Sequence, residues 1–219
     1  MMISLYNYFR SSAAYRVRIA LNLKGIAYQN EFVHLTREGG EQFSAAYRTK
    51  NPQQLIPALT DGADTLTQSL AIMEYLEEKY PQTPLLPATE LYAERANVRA
   101  LSLAIACDIH PLNNLRILKY VTKTLGASEA QKSAWISRWI SDGFTAIEAQ
   151  LVQSAYSGTF CHGDAPTIAD CCLVPQVFSA RRFNIALAAY PTIVRIDAEC
   201  NALSAFAAAH PKQQPDFET

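Results

Sequence analysis

The chain has 219 residues, 49% of them hydrophobic and 18% charged, and its formal net charge is −1 at pH 7. A chain of this length can bury a substantial core, as one large domain or two compact ones. The near-neutral charge gives no general attraction for nucleic acid or for a membrane surface, so we expect neither as a partner.

The beginning of the chain and its cysteines indicate the compartment. MMISLYNYF lacks the basic region of a secretory signal, and no stretch approaches the ~20 apolar residues of a membrane helix. The 5 cysteines are odd in number, lack the spacing of zinc ligands, and begin only at Cys107. We therefore predict a cytoplasmic protein with reduced thiols and no metal site. The part of the chain before Cys107 has no thiol of its own.

The N-terminal part of the chain alternates between strand and helix patterns. In chain order the predicted elements are a strand 3–8, a helix 12–24, a strand 31–35, a hairpin of 58–60 and 65–67 around Asp61-Gly62, and a helix 69–79 that Pro81 ends. This order is typical of a small α/β sheet with helices packed on it.

The composition changes after these elements. The stretch 81–90, PQTPLLPATE, is rich in proline and has no helical periodicity, which indicates an interdomain linker. Beyond it the pattern is almost wholly helical: 91–124 is predicted as one long helix with a kink at Pro111, and capping boxes begin helices after Ser128 and Thr167. The predicted domains are 1–82, a linker 83–90, and an all-helical domain 91–219.

Arg10, Ser11 and Ser12 lie where the first strand ends and the first helix begins. The unpaired backbone N–H groups and the positive end of a helix meet at such a point. One serine is enough for an N-cap, so a second serine with an arginine is also compatible with a site for an anion or a thiolate. From these residues alone both interpretations stay open.

Two further stretches could contact an extended ligand. The Ile56-Pro57 bond before a strand is a candidate cis peptide that would expose the Ile56 backbone, or else an ordinary turn proline. Gln68-Ser69 begins a helix, and these residues either bind a carboxylate or only cap the helix N-terminus. A thiolate, a peptide backbone and a carboxylate, taken together, are the three chemical features of glutathione.

Several runs of sequence resemble the zeta class of glutathione transferases, over nearly the whole chain: SSAAYRVRIALNLKGI, NPQQLIPAL, QSLAIMEYLEEKYP, DAPTIADCCLVPQVFSARRF and HPKQQPD. The resemblance implies an α/β thioredoxin-like N-terminal domain, an all-α C-terminal domain and a homodimer. It also implies glutathione-dependent cis–trans isomerisation of a small maleyl dicarboxylate, maleylacetoacetate or maleylpyruvate, in aromatic or tyrosine catabolism.

The resemblance also implies roles for individual residues. The residues that would contact glutathione are Gln53, Ile56, Pro57, Gln68, Ser69, His110 and Asn114. Ser11 and Ser12 would lie beside its sulfur, whereas Arg10 and Arg182 would hold the carboxylates of the substrate, with Arg116 as a weaker third. The chain departs from the family motif at Ala13 and Ala14, where the family commonly has Cys or Thr and then Ser.

The chemistry needs an ionised thiol and cations for a dianionic substrate. A helix N-terminus with hydroxyl donors lowers a thiol pKa from about 8.5, and arginines pair with carboxylates. Arg181-Arg182 could instead be a solvated helix face or a salt bridge. Two other functions stay open: conjugation or α-haloacid dehalogenation on the same scaffold, and a non-catalytic glutathione-binding module, which Ala13 and Ala14 would suit.

Overall fold

The computed structural model describes residues 2–218. By its internal contacts the chain divides into two compact units: the residues up to Leu85 together with those from Ala202 on, and Leu86–Asn201. The helices of the described residues are, in chain order, α1 (Ser12–Leu23), α2 (Ala45–Arg48), α3 (Ser69–Lys79), α4 (Tyr92–Leu103), α5 (Leu115–Lys123), α6 (Glu129–Gln153), α7 (Ile168–Arg182), α8 (Pro191–Ala202) and α9 (Ser204–Ala209).

A mixed sheet forms the centre of the first unit. Its strands are β1 (Ile3–Asn7), β2 (Tyr28–Phe32), β3 (Ala58–Asp61) and β4 (Asp64–Thr67), in the order β2-β1-β3-β4. β1 runs parallel to β2 and antiparallel to β3. This arrangement confirms the predicted α/β thioredoxin-like class for the N-terminal part.

β2 begins three residues earlier than the predicted strand 31–35. The strand cannot continue to residue 35 because His34 turns the chain. Its Nδ1 accepts the backbone N–H of Arg37 at 2.8 Å. Apolar Val33 and Leu35 suggested a strand, but a local side-chain hydrogen bond overrides that pattern.

α1 and α3 pack against the sheet. Their shared core consists of Ile3, Leu5, Val17, Leu21, Leu59, Ile72 and Leu76. Lys24, whose side chain is buried, joins the end of α1 to α3, since its Nζ lies 2.6 Å from Glu77 Oε2. α9 packs on α1, where Asn22 Nδ2 donates to the Ala205 carbonyl at 2.9 Å. The predicted boundaries assign this C-terminal segment to the helical domain, whereas its contacts group it with the sheet.

The β3–β4 hairpin is tied to α3 through one carboxylate. Asp61 Oδ2 accepts hydrogen bonds from Lys79 Nζ at 2.6 Å, Tyr75 Oη at 3.0 Å and Tyr80 Oη at 3.2 Å. These donors, Lys79 first, lower the pKa of Asp61 below its ordinary value of 3.8.

The second unit is almost wholly helical, as predicted. The stretch 91–124 is not one kinked helix, however: α4 passes into a π-helical turn, Ala104–Ile109, then a 3₁₀ turn, Pro111–Asn113, and then α5. Pro111 has no N–H to continue the helix, so the chain re-forms its hydrogen bonds over wider and then tighter turns. No helix within residues 2–218 is long and apolar enough to cross a bilayer.

Both predicted capping boxes are confirmed. Ser128 and Gln131 cap α6 reciprocally, as Thr167 and Asp170 cap α7. Asp170 is fully buried and accepts the backbone N–H of Cys161 at 2.8 Å; burial raises its pKa. All five cysteines are free thiols, as predicted; four of them are buried and Cys107 is exposed.

Candidate active site

The two serines at the start of α1 have different environments. Ser11 is the N-cap, and its Oγ accepts the backbone N–H of Ala14 at 3.2 Å. Ser12 is the first residue of the helix. Among residues 2–218 neither its hydroxyl nor the backbone N–H groups of Ser12 and Ala13 have a hydrogen-bond partner. Three donors at the positive end of a helix therefore remain available to an anion.

Arg10 stands next to these donors. Its side chain is exposed, and its guanidinium carbon lies 5.0 Å from the centre of the Phe9 ring. Within the described residues it forms no ion pair with a carboxylate, so its charge is available to a ligand.

The loop before β3 presents backbone groups. The Ile56-Pro57 bond is cis, so of the two alternatives that the sequence left open the structure has the cis peptide and not the ordinary turn proline. Asn51, buried, holds the loop: its Nδ2 donates to the Leu55 carbonyl at 2.6 Å, and its Oδ1 accepts the N–H of Gln53 at 3.0 Å. In the described part of the chain the backbone N–H and C=O of Ile56 have no partner, so an extended peptide could pair with them.

The start of α3 lies against the same loop. Gln68 Nε2 donates to Gln53 Oε1 at 2.8 Å, and Gln68 itself has a φ of 69°, in the left-handed region. Ser69 is buried, and its Oγ accepts a hydrogen bond from Arg16 Nη1 at 3.2 Å. Since Arg16 belongs to α1, it connects the starts of the two helices. The structure thus brings Gln53, Gln68 and Ser69 together.

The candidate residues of the second unit lie at two places. His110, Asn114 and Arg116 follow the π-helical turn, and Asn114 caps α5 by accepting the N–H of Arg116 at 3.1 Å. Trp135 of α6 supports this stretch, as its Nε1 donates to the Leu112 carbonyl at 2.9 Å.

Arg182 is the last residue of α7, and its guanidinium carbon lies 4.3 Å from the centre of the Phe183 ring. The preceding Arg181 forms an ion pair, Nη1 to Asp197 Oδ2, at 2.5 Å. Of the two neighbouring arginines, Arg181 therefore has the structural role of a salt bridge.

Comparison with known proteins identifies the family. Residues 5–84 match the family model described as the N-terminal domain of glutathione S-transferase. A probable maleylacetoacetate isomerase of Vibrio cholerae serotype O1 is 52% identical over 216 residues, 99% of each chain. The holo structure of a maleylpyruvate isomerase, a bacterial zeta-class glutathione S-transferase, superposes with a TM-score of 0.94 at 52% identity, covering 98% of this chain and 100% of that one.

The chain belongs to the zeta-class glutathione S-transferases. A maleylacetoacetate isomerase of Methylobacterium extorquens AM1 is 41% identical, with a TM-score of 0.93 and coverage of 99% of this chain and 100% of that one. That structure was solved with malonate and glutathione bound. The class therefore includes a neighbour that holds both a thiol peptide and a dicarboxylate.

The candidate site includes residues that sequence reasoning missed. Arg16 was overlooked because a charged residue within an amphipathic helix usually faces solvent, yet it is 2% exposed and bonds to Ser69. Asn51 gave a weak signal as the first residue of the NPQQLIPAL run. It holds the loop that presents Ile56, and no local pattern reveals that role.

Proposed function

We propose that the protein is a glutathione-dependent cis–trans isomerase that converts maleylacetoacetate or maleylpyruvate to the fumaryl isomer, in aromatic or tyrosine catabolism. One observation carries the proposal: within residues 2–218, the hydroxyl of Ser12 and the backbone N–H groups of Ser12 and Ala13, at the start of α1 and next to Arg10 in the chain, have no hydrogen-bond partner. The unit that holds them contains no cysteine. A site built for a thiolate without a thiol of its own requires a thiol from a ligand.

The residues of the first unit fit glutathione. In this proposal Ser69 and the N–H groups at the start of α3 bind the γ-glutamyl carboxylate, with Gln68 and Gln53 at its edge. The Ile56 backbone beside Pro57 pairs with the cysteinyl residue. His110 and Asn114 of the second unit supply further polar contacts to glutathione, as the resemblance implies.

The chain's own groups would prepare the reaction. The hydroxyl of Ser12 and the N–H of Ala13 donate to the sulfur, and the helix dipole lowers its pKa, so the thiol ionises near neutral pH. Ser11 holds the turn as the N-cap. When bound, glutathione supplies a thiolate that adds to the cis C=C bond and leaves after rotation, so that it is regenerated unchanged.

The arginines would bind the substrate. Arg10 and Arg182 are proposed to pair with its carboxylates and to offset the negative charge that develops during the reaction, with Arg116 in a weaker supporting role. Arg10 has no competing ion pair within residues 2–218, which leaves its guanidinium free for this purpose.

The proposal extends to assembly and compartment. We infer a cytoplasmic homodimer: the class resemblance implies the dimer, and the free cysteines suit a reducing compartment. Sedimentation analysis of the purified protein tests the dimer directly, since a species of 24.3 kDa at all concentrations would contradict it.

Turnover of both maleyl substrates, with and without glutathione, tests the function. We expect isomerisation only when glutathione is present. Turnover without glutathione, or none with it, would overturn the proposal. Higher activity on dichloroacetate than on either maleyl substrate would instead indicate a haloacid dehalogenase.

A further inference from the structure

The turn between β1 and α1 presents the charged and polar groups of the proposed thiolate site. It is closed by the N–H of Ser11, which donates to the Tyr8 carbonyl at 3.0 Å. Phe9, at the middle of the turn, is 2% exposed. Any displacement of Phe9 would move Arg10 and Ser11, which follow it directly.

Arg18 holds this turn from within α1. Its fully buried guanidinium donates to the carbonyls of Phe9 at 3.1 Å and Tyr8 at 3.4 Å, and to Asn7 Oδ1 at 2.7 Å. Its Nε donates to the carbonyl of Ala209, at the end of α9, at 3.0 Å. One side chain therefore joins the turn to the C-terminal segment.

The C-terminal segment also contacts Phe9 directly. Asp216 Oδ2 accepts the backbone N–H of Phe9 at 2.9 Å, across 207 residues of sequence. The ring of Phe217 meets the ring of Phe9 edge to face, with centres 5.4 Å apart. Since Arg10 lies over the same Phe9 ring, the order of contacts is Phe217, Phe9, Arg10.

The C-terminal segment is itself held in place by hydrogen bonds of Glu218 and Gln214. Glu218 bonds to Arg37 Nη2 at 2.6 Å and to His34 Nε2 at 3.1 Å. The Nδ1 of His34 accepts the N–H of Arg37, so Nε2 carries the ring proton and donates it to Glu218. Gln214 Nε2 donates to the carbonyls of Ala208 and His210 at 2.9 and 3.1 Å.

We propose that segment 209–218 positions the thiolate site, with Asp216 and Phe217 as positioning residues that fix the turn presenting Arg10 and Ser11. The inference rests on the proposed function, because it concerns the same site. It explains the HPKQQPD run, residues 210–216, because the run places the carboxylate of Asp216 against the turn that follows β1. Small displacements of positioned groups cost large factors in rate.

Asp216→Ala tests the inference, with Asp216→Asn as the conservative variant that retains an acceptor oxygen. We expect kcat/KM of Asp216→Ala to fall about tenfold, mostly in kcat, and the pKa of bound glutathione, followed by ultraviolet absorbance, to rise. Asp216→Asn should recover most of both properties. Unchanged kcat/KM and thiol pKa in Asp216→Ala would overturn the inference.

Two further variants separate positioning from general stability. Asp61→Asn removes an anchoring carboxylate elsewhere in the same unit, and Lys212→Ala alters an exposed residue of the segment itself. Neither should change the thiol pKa. A loss of kcat/KM in Asp61→Asn equal to that in Asp216→Ala would contradict a positioning role.

A readout without ligand keeps the test independent of the proposed function. In ligand-free protein, amide hydrogen exchange over residues 8–14 should be faster in Asp216→Ala than in the wild type and unchanged in Lys212→Ala. Equal exchange in Asp216→Ala and the wild type would overturn the inference. Absence of turnover in the wild type would overturn only the proposed function.

Discussion

At the scale of single residues, the adjacent Ser11 and Ser12 differ in the hydrogen bonds that their hydroxyls form. Ser11 uses its oxygen to cap α1, whereas the hydroxyl of Ser12 has no partner within residues 2–218. The backbone N–H of Ala13 is also available, so an alanine where the family commonly has Cys or Thr removes a side-chain group but no backbone donor. The departure at Ala13 is therefore compatible with a working thiolate site.

Ser12→Ala should lower kcat/KM by about 10²-fold and raise the pKa of bound glutathione, because one of the donors to the sulfur is lost. Ser11→Ala should instead lower the free energy of unfolding by about 1 kcal/mol, with a smaller effect on rate. Steady-state kinetics and ultraviolet titration check both variants. If Ser12→Ala turns over normally, the backbone N–H groups or Ser11 stabilise the thiolate.

Arg182→Ala should lower kcat/KM for the maleyl substrate at least about tenfold while glutathione affinity stays nearly constant, because the proposal assigns Arg182 to a carboxylate of the substrate and not to glutathione. Arg181→Ala is the matched control: among the described residues it leaves the buried Asp197 carboxylate with only its hydrogen bond from Asn201, and it should cost about 1–3 kcal/mol of stability without affecting kinetics. Calorimetry and kinetics on both variants distinguish the roles. Equal kinetic defects would contradict the assignment.

At the scale of elements, the π-helical turn before His110 depends on a glycine in α6. A Cβ at Gly143 would lie 2.3 Å from Ile109 Cδ1, the last residue of the turn. Glycine at position 143 of α6 therefore leaves room for the side chain of Ile109, which any other residue there would displace. Ile109 directly precedes His110, so this contact lies next to the stretch with His110 and Asn114.

Gly143→Ala should lower the free energy of unfolding by about 1–3 kcal/mol, because the added methyl group displaces Ile109. Ile109→Ala makes room for it, so the double variant should be less destabilised than the sum of the single ones. Urea unfolding of the three variants measures this coupling. Simple additivity would show that the two residues do not compete for the same space.

The hairpin anchor at Asp61 should make stability depend on pH. A carboxylate whose pKa is lowered by folding stabilises the protein above its unfolded pKa, and that contribution is lost as pH falls through the folded pKa. Asp61→Asn should therefore cost up to about 1 kcal/mol at neutral pH. The difference from wild type should close below about pH 4 in thermal unfolding. If the difference in stability between Asp61→Asn and the wild type does not change with pH, the ionised carboxylate of Asp61 is not what stabilises the hairpin.

At the scale of the whole molecule, local signals predicted most elements. Capping boxes, the Asp61-Gly62 turn and helix periodicity are encoded within a few residues, and so the strands of the hairpin and both capped helices were found. Pro111 indicated a kink within 91–124 but not its division into separate helices. The sequence did not reveal the packing of the C-terminal segment, since that depends on distant residues. Arg16 and Arg18 were missed for the same reason: their partners lie in other elements.

Arg18 is the most connected of these missed residues. Burial lowers its pKa to about 10, which leaves it charged at neutral pH. Arg18→Met should lower the free energy of unfolding by about 3–5 kcal/mol, because several buried acceptors lose their donor together. Urea unfolding tests this, with Arg18→Lys expected to be intermediate. A loss below about 1 kcal/mol would mean that water replaces the guanidinium.

The contact of segment 209–218 with the turn after β1 also affects the order in which the protein can fold during its synthesis. A ribosome adds ~5–20 residues per second, so roughly ten seconds separate the completion of the sheet from the emergence of α9 past Leu86–Asn201. During that interval the Nε of Arg18 and the backbone N–H of Phe9 lack their acceptors, the Ala209 carbonyl and the Asp216 carboxylate. The proposed thiolate site would therefore be completed last, because a chain that ends before residue 209 carries Arg10, Ser11 and Ser12 without the segment proposed to hold them in place.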